Sequence, residues 1–191
     1  ELKRDSLLFE DGFIDYFDNE HDMLETFVDV VNFIDPDIIA GWFSNDFDFP
    51  YLYNRLRKNK IDSALLSPLR YVNEGRNKIA GRICLDLLPA YRKVAGGTMD
   101  SYRLGEIAKQ ELGYGKTEDP GDLTNIWKED PMRLVEYNKR DVHILVELDK
   151  KLKIVDFFDM LCNEVNISMD DSRFNTKIVD MYMLRIAREL G

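Results

Sequence analysis

The sequence predicts an α/β protein with a parallel or mixed sheet, and three observations carry that prediction. The apolar pattern changes period along the chain in the order strand, helix, strand, helix, strand, several helices. The connections between these segments are short. One apolar run, Asp37-Ile38-Ile39-Ala40-Gly41-Trp42, is bounded by proline and glycine, the pattern of a strand covered on both faces.

Taken in order, Leu7–Tyr16 alternates imperfectly around Asp11-Gly12, which predicts a short strand or hairpin. From Asn19 to Phe33 the residues Met23, Leu24, Phe27, Val28, Val30 and Val31 keep helical spacing, with Asp18 or Asn19 as N-cap and Asp35-Pro36 as the stop. The strand at 37–42 follows, and its C-terminal end is where α/β proteins tend to place ligands. Phe47–Asn59 reads as a second helix with Tyr51, Leu52 and Leu56 inward and a basic, exposed end at Arg55, Arg57, Lys58 and Lys60. Arg82–Leu87 is the next strand, with a short segment to Tyr91. Ser101–Leu112 is a helix ending at Gly113, and Gly113–Asp122 is a loop. Asp130-Pro131 supplies an N-cap and a first-position proline for a long amphipathic helix to about Lys151. Helical segments around Val155–Asn163 and Thr176–Leu190 complete the chain. One hairpin and two later strands make a thin sheet for so many helices, so further strands are expected upstream of Glu1.

Length and composition agree. The 191 residues, 45% of them hydrophobic, suffice for one core, and no apolar stretch reaches the roughly 20 residues that span a bilayer. The residues Glu1-Leu2-Lys3-Arg4-Asp5 lack the apolar core of a signal peptide. Cys84 and Cys162 have no metal-ligand spacing and read as buried reduced thiols, which fits a cytosolic compartment. The net charge of −10 argues against a grip on nucleic acid by long-range attraction alone, an objection that bound divalent cations or neighbouring domains would weaken.

Two segments carry candidate chemistry. Asp48 lies just beyond a strand, in Gly41-Trp42-Phe43-Ser44-Asn45-Asp46-Phe47-Asp48-Phe49-Pro50-Tyr51-Leu52, where a turn can aim a carboxylate into a cleft. Tyr137 and Asp141 are four residues apart on the long helix and share a face. Carboxylates from separate segments suit two-metal hydrolysis, and a tyrosine hydroxyl beside one of them can hold the attacking water. Spacing alone leaves open the plainer reading of a capping Asp48 and a solvated Asp141.

The run Asp35–Trp42 with Asn45–Leu52 closely resembles the second exonuclease motif of family B DNA polymerases, and Tyr137-x-x-x-Asp141 resembles the third, in the expected order and separation. The likeness extends to Phe17–Leu24 and Gly81–Leu87, and so to nearly the whole chain. It implies an RNase H-like (DEDD-type) exonuclease fold, a mixed sheet flanked by helices, two Mg²⁺ or Mn²⁺ ions, and hydrolysis of the 3′-terminal nucleotide. By the same resemblance Asp48 and Asp141 would be metal ligands and Tyr137 the water-positioning residue. Phe47 would pack on the terminal base or sugar, with Phe43 near the substrate. Lys116 would contact a phosphate or stand as a solvated loop lysine. The implied partners are DNA, as a single-stranded 3′ end or primer-template, and the rest of the polymerase polypeptide, with no membrane. Residues 1–165 would form the exonuclease domain and 166–191 a helical connector towards the polymerase palm.

Two departures qualify the match. The family usually has Asn five residues before the motif aspartate, where this chain has Phe43. The first motif, Asp-x-Glu on a strand, is expected ahead of Glu1, which would leave this chain alone inactive. Asp18-Asn19-Glu20 spells Asp-x-Glu but opens a helix, where carboxylates favour the macrodipole, and is read as capping. Asp86 lies on a strand and could approach the same cleft, although a structural hydrogen bond is the favoured reading, and His21 and His143 are not expected to form a metal site. The competing function is a catalytically dead nuclease-fold module that binds single-stranded DNA or shapes the polymerase.

Overall fold

The computed structural model describes residues 6–9, 12–96, 99–114 and 129–190. It is a mixed α/β structure in two compact units, one of Glu1–Ala40 with Ser44–Leu85 and one of Gly41–Phe43 with Asp86–Gly191.

In the first unit, β1 (Ser6–Phe9) and β2 (Gly12–Asp15) form the expected antiparallel hairpin, with Phe9 opposite Gly12. Helix α1 (Glu20–Ile34) starts at Asn19, whose side chain accepts the Asp22 N–H at 2.9 Å. It stops at Asp35, which turns left-handed and returns its N–H to the Val31 carbonyl at 3.0 Å, and Pro36 forbids continuation. Strand β3 (Ile38–Gly41) leads into α2 (Asp48–Lys58). A 3-10 turn at Ser63–Leu66 follows, then a minimal hairpin of β4 (Val72–Asn73) and β5 (Lys78–Ile79), then β6 (Ile83–Asp86).

The core of this unit joins two stripes of i, i+4, i+7 spacing, Leu24, Val28, Val31 on α1 and Phe49, Tyr53, Leu56 on α2, with Ile61, Leu66 and Ile79. Tyr51, expected inward, is 59% exposed. It lies two residues from both Phe49 and Tyr53, which on a helix is the opposite face. Leu52 and Leu56 do pack inward.

The single mixed sheet is not what the described strands make. They form three two-stranded sheets, because the β1–β2 and β4–β5 hairpins close on themselves and β3 pairs with β6 alone. Strand β3 is therefore not covered on both faces, and Ala40 is exposed. What ties β6 to the end of α1 is Arg82, whose side chain is 1% exposed. Its Nε donates to the Leu66 carbonyl at 2.9 Å, and its Nη1 donates to the Pro36 carbonyl at 2.8 Å and meets Asp35 Oδ1 at 2.9 Å. Gly81 precedes it at φ 83°, where an added Cβ would stand 2.6 Å from Pro68 Cγ, so the turn requires glycine.

In the second unit, α3 (Leu87–Ala95) occupies the place where only a short segment was expected. Asp86 caps it through Leu88 N–H at 3.0 Å. Helix α4 (Leu104–Leu112) begins later than its pattern suggests because Arg103 is still extended, and it ends at left-handed Gly113. Helix α5 (Pro131–Leu152) has the expected start, with the Asp130 carboxylate accepting the Arg133 N–H at 3.1 Å. Helices α6 (Ile154–Val165) and α7 (Asn175–Leu190) follow.

Helix α4 packs on α5, α3 on α6 and α6 on α7, around Tyr91, Ile107, Ile144, Leu148, Ile154 and Phe158. Lys93 Nζ holds the turn before α7, donating to the carbonyls of Ser172 and Arg173 at 3.0 and 2.9 Å. Neither cysteine is in a disulfide, and only Cys162 is buried; Cys84 is half-buried at the rim of the first core. No helix among the described residues is long and apolar enough to cross a membrane.

Candidate functional site

Asp48 is the first residue of α2, and the turn before it is pinned from both sides. Phe49 N–H donates to the Ser44 carbonyl at 3.0 Å, closing the turn, and Asn77 Nδ2 donates to the Asn45 carbonyl at 2.6 Å. The N-cap position belongs to Phe47, which offers no side-chain cap, and Asp48 is the first helical residue. Asp48 is exposed and sits one residue inside the helix, at its N-terminal end. Pro50 is tolerated beside it because first-turn N–H groups have no helical acceptor.

An aromatic pair flanks this carboxylate in sequence. Phe47 is 63% exposed and lies parallel to the exposed ring of Tyr51, with centroids 6.3 Å apart and planes 5° apart. The helical pattern of residues 47–59 points Tyr51 inward and so conceals this pair. The two-residue offset of Tyr51 from the Phe49–Tyr53 stripe was the signal that could have found it.

Tyr137 and Asp141 lie on α5, both half-buried. They continue the spacing of the buried Ile144 and Leu148, so the four residues run i, i+4, i+7, i+11 along one face. Asp141 is thus not on the solvated side of the helix. His143, two residues on, is exposed. Asp48 belongs to the first unit, and Tyr137 and Asp141 to the second. Among the described residues no group of three or more His, Cys, Asp or Glu side chains is placed to hold a metal ion.

Phe43 stands at the end of β3 with φ 62°, the left-handed region, and its ring is 48% exposed. Its N–H donates to Asp86 Oδ1 at 3.0 Å. The neighbouring Trp42 Nε1 donates to the Tyr102 carbonyl at 3.0 Å and its ring tilts against Tyr91 at 5.8 Å. Asp86, buried to 6% exposure, therefore has the structural role expected of it.

The Asp18-Asn19-Glu20 segment is a helix start, as expected. Asn19 is the cap, and the Glu20 carboxylate is engaged by the Arg55 guanidinium and by Asn59 Nδ2 at 3.0 Å. The Arg55 hydrogen bond holds the Glu20 carboxyl below its ordinary range, with Asn59 adding to the effect. Lys116 lies outside the described residues.

Comparison with known proteins follows the same line. The profile described as DNA polymerase family B, exonuclease domain, matches residues 3–107, more than half of the chain. A DNA polymerase of Thermococcus litoralis is 30% identical over 191 residues, covering 92% of this chain and 11% of its own length. The DNA-directed DNA polymerases of Escherichia phage RB69 and Enterobacteria phage T4 are each 28% identical over 73% of this chain. The chain spans 17% of the length of either phage protein, so it corresponds to a small part of its relatives.

Proposed function

The chain belongs to the exonuclease domain family of family B DNA polymerases, and from that membership we propose that it is a 3′–5′ proofreading exonuclease region with an RNase H-like fold. The observation that carries the proposal is the match over residues 3–107, which includes Asp48 on the first turn of α2. Tyr137 and Asp141 on one face of α5 support it independently of that match.

The family implies metal-dependent catalysis, and carboxylate oxygens of the kind Asp48 and Asp141 offer suit hard divalent cations. Bound Mg²⁺ or Mn²⁺ would supply the activated water and stabilise the leaving oxygen. In this reading Asp48 and Asp141 hold the ions from separate segments of the chain. The Tyr137 hydroxyl, one helical turn from Asp141, orients the attacking water in line with phosphorus. The exposed rings of Phe47 and Phe43 stack on the unpaired terminal base, a sequence-tolerant contact suited to frayed 3′ ends. Lys116 contacts a phosphate.

On this proposal residues 1–165 are the exonuclease domain and 166–191 a connector, a division supported by the end of α6 at Val165 and the left-handed Asn166 that caps it. The partners are primer-template DNA and the remainder of a polymerase polypeptide, working in the cytoplasm in prokaryotic or viral replication. A second reading, a module that binds single-stranded DNA without cutting, is favoured by Phe43 standing where the family usually has Asn. Calorimetric titration of the chain with Mn²⁺ tests the metal assignment: Asp48→Ala and Asp141→Ala should each weaken binding at least tenfold. Unchanged affinity in both would remove it.

A further inference from the structure

Position 77 has to meet two demands at once, and asparagine meets both. Asn77 ends the short 3-10 turn Glu74–Arg76 inside the β4–β5 hairpin, at φ 47° and ψ 47°, in the left-handed region that Gly, Asn and Asp enter most readily. Its side chain must also donate, because its Nδ2 reaches the Asn45 carbonyl at 2.6 Å and a carbonyl oxygen can only accept. Glycine and ionised aspartate suit the backbone but carry no donor, whereas glutamine and lysine carry a donor but strain the backbone. The other half of the amide gains nothing, since Asn77 Oδ1 is buried and accepts no hydrogen bond among the described residues. Burying an unpaired acceptor costs stability, so packing of the amide does not by itself account for an asparagine here.

Asn45 belongs to the turn before α2, in the same compact unit as the hairpin. The Phe49 N–H closes that turn on the Ser44 carbonyl at 3.0 Å, and Phe47 leaves it at φ −125° and ψ −68°, neither helical nor extended. Phe47 supplies no side-chain cap, so the bond from Asn77, 32 residues away, holds the turn from outside. The hairpin is itself fastened. Glu74 accepts the Ser63 hydroxyl at 2.7 Å and pairs with Arg57 on α2, and the Asn77 N–H returns to the Glu74 carbonyl at 3.3 Å.

We propose that Asn77 is a positioning residue: its amide clamps the turn at Asn45 and so sets where Phe47 and Asp48 emerge at the start of α2. The consequence for metal binding rests on the reading of Asp48 as a metal ligand; the clamp itself does not. An asparagine placed only to make the left-handed turn of the hairpin would leave residues 45–49 indifferent to its side chain.

The test uses the ¹³C,¹⁵N-labelled chain and two substitutions that keep the left-handed backbone, Asn77→Gly and Asn77→Asp. In both, the Asn45 carbonyl ¹³C and the Asp46 amide ¹⁵N should shift, because they share the peptide group that loses its donor, and the amides of Phe47 and Asp48 should shift with them. Hydrogen exchange at the Phe49 amide should quicken about tenfold, the scale of one lost hydrogen bond. The amides of Val28 and Val31 in the core of the unit should keep their protection, which reports an intact fold. Glycine removes the side chain and aspartate keeps its size while turning donor into acceptor, so agreement between the two separates the lost bond from lost packing. Mn²⁺ affinity should fall about tenfold in Asn77→Gly. Shifts confined to residues 73–79 with Phe49 exchange unchanged would overturn the proposal, as would Mn²⁺ affinity that falls in Asp48→Ala but not in Asn77→Gly. If Asp48→Ala leaves Mn²⁺ affinity unchanged while the amide results hold, the metal reading fails and the clamp stands.

Discussion

Replacing Arg82 by methionine removes the side chain that fastens β6 to the end of α1 while keeping most of its length. The guanidinium is 1% exposed, and the structure gives it two short hydrogen bonds to backbone carbonyls, Leu66 at 2.9 Å and Pro36 at 2.8 Å. A hydrogen bond from a charged donor contributes about 1.5–3 kcal/mol, so losing two predicts about 3–6 kcal/mol. The ion pair to Asp35 adds little, because that carboxylate is 70% exposed and screened by water. The 3.5 Å approach to Asn32 Oδ1 is too long to add much. Asp35→Ala should accordingly cost less than about 1 kcal/mol. Urea unfolding followed by far-ultraviolet circular dichroism measures both, and with a slope of about 2–3 kcal/mol per molar the Met variant should unfold roughly 1–3 M earlier. A loss under about 1 kcal/mol in Arg82→Met, or equal losses in the two variants, would refute the reasoning that the buried carbonyl bonds dominate.

Tyr91 should give an alkaline transition. Burial first, and its bond to Glu111 at 2.8 Å second, push its hydroxyl up to about 12 from an ordinary value of 10. Its contribution is fully present below about pH 10, where both states are protonated, and falls between pH 10 and about 12 as only the unfolded tyrosine ionises. Tyr91→Phe should abolish that portion of the pH dependence of stability, and tyrosinate absorbance should report the late titration directly. Asn19→Ala should lower stability by about 1 kcal/mol through loss of the α1 cap and leave Mn²⁺ affinity unchanged, since Asp18-Asn19-Glu20 is a helix start. Phe47→Ala should weaken binding of a single-stranded oligonucleotide by about 1–3 kcal/mol, measured by fluorescence anisotropy, without changing thermal stability because the ring is exposed.

The helices were legible where local chemistry punctuates them. Asn19 and Asp35-Pro36 bracket α1, Asp130-Pro131 opens α5, and Gly113 closes α4, each through a cap that depends on a few neighbouring residues. The stretch between α2 and β6 was not legible, because its 3-10 turns and two-residue strands are shorter than any period that a pattern can reveal. The pairing of β3 with β6 was equally hidden, since the partners are chosen across the intervening residues 42–82 and leave no local mark. At the candidate site, Asp48 and the Tyr137–Asp141 face could be read from motif and spacing. The left-handed Phe43 and its bond to Asp86 could not, because a bond to a distant carboxylate has no signature in the residues beside it.

The most direct test of the nuclease reading is degradation of a 5′-labelled single-stranded oligonucleotide in Mn²⁺ by a polymerase polypeptide that carries this chain. The account predicts stepwise shortening from the 3′ end, lost on either Asp48→Ala or Asp141→Ala and strongly slowed in Tyr137→Phe. A folded protein that binds the oligonucleotide yet leaves it intact, or cuts it equally well without Asp48 and Asp141, would contradict the account.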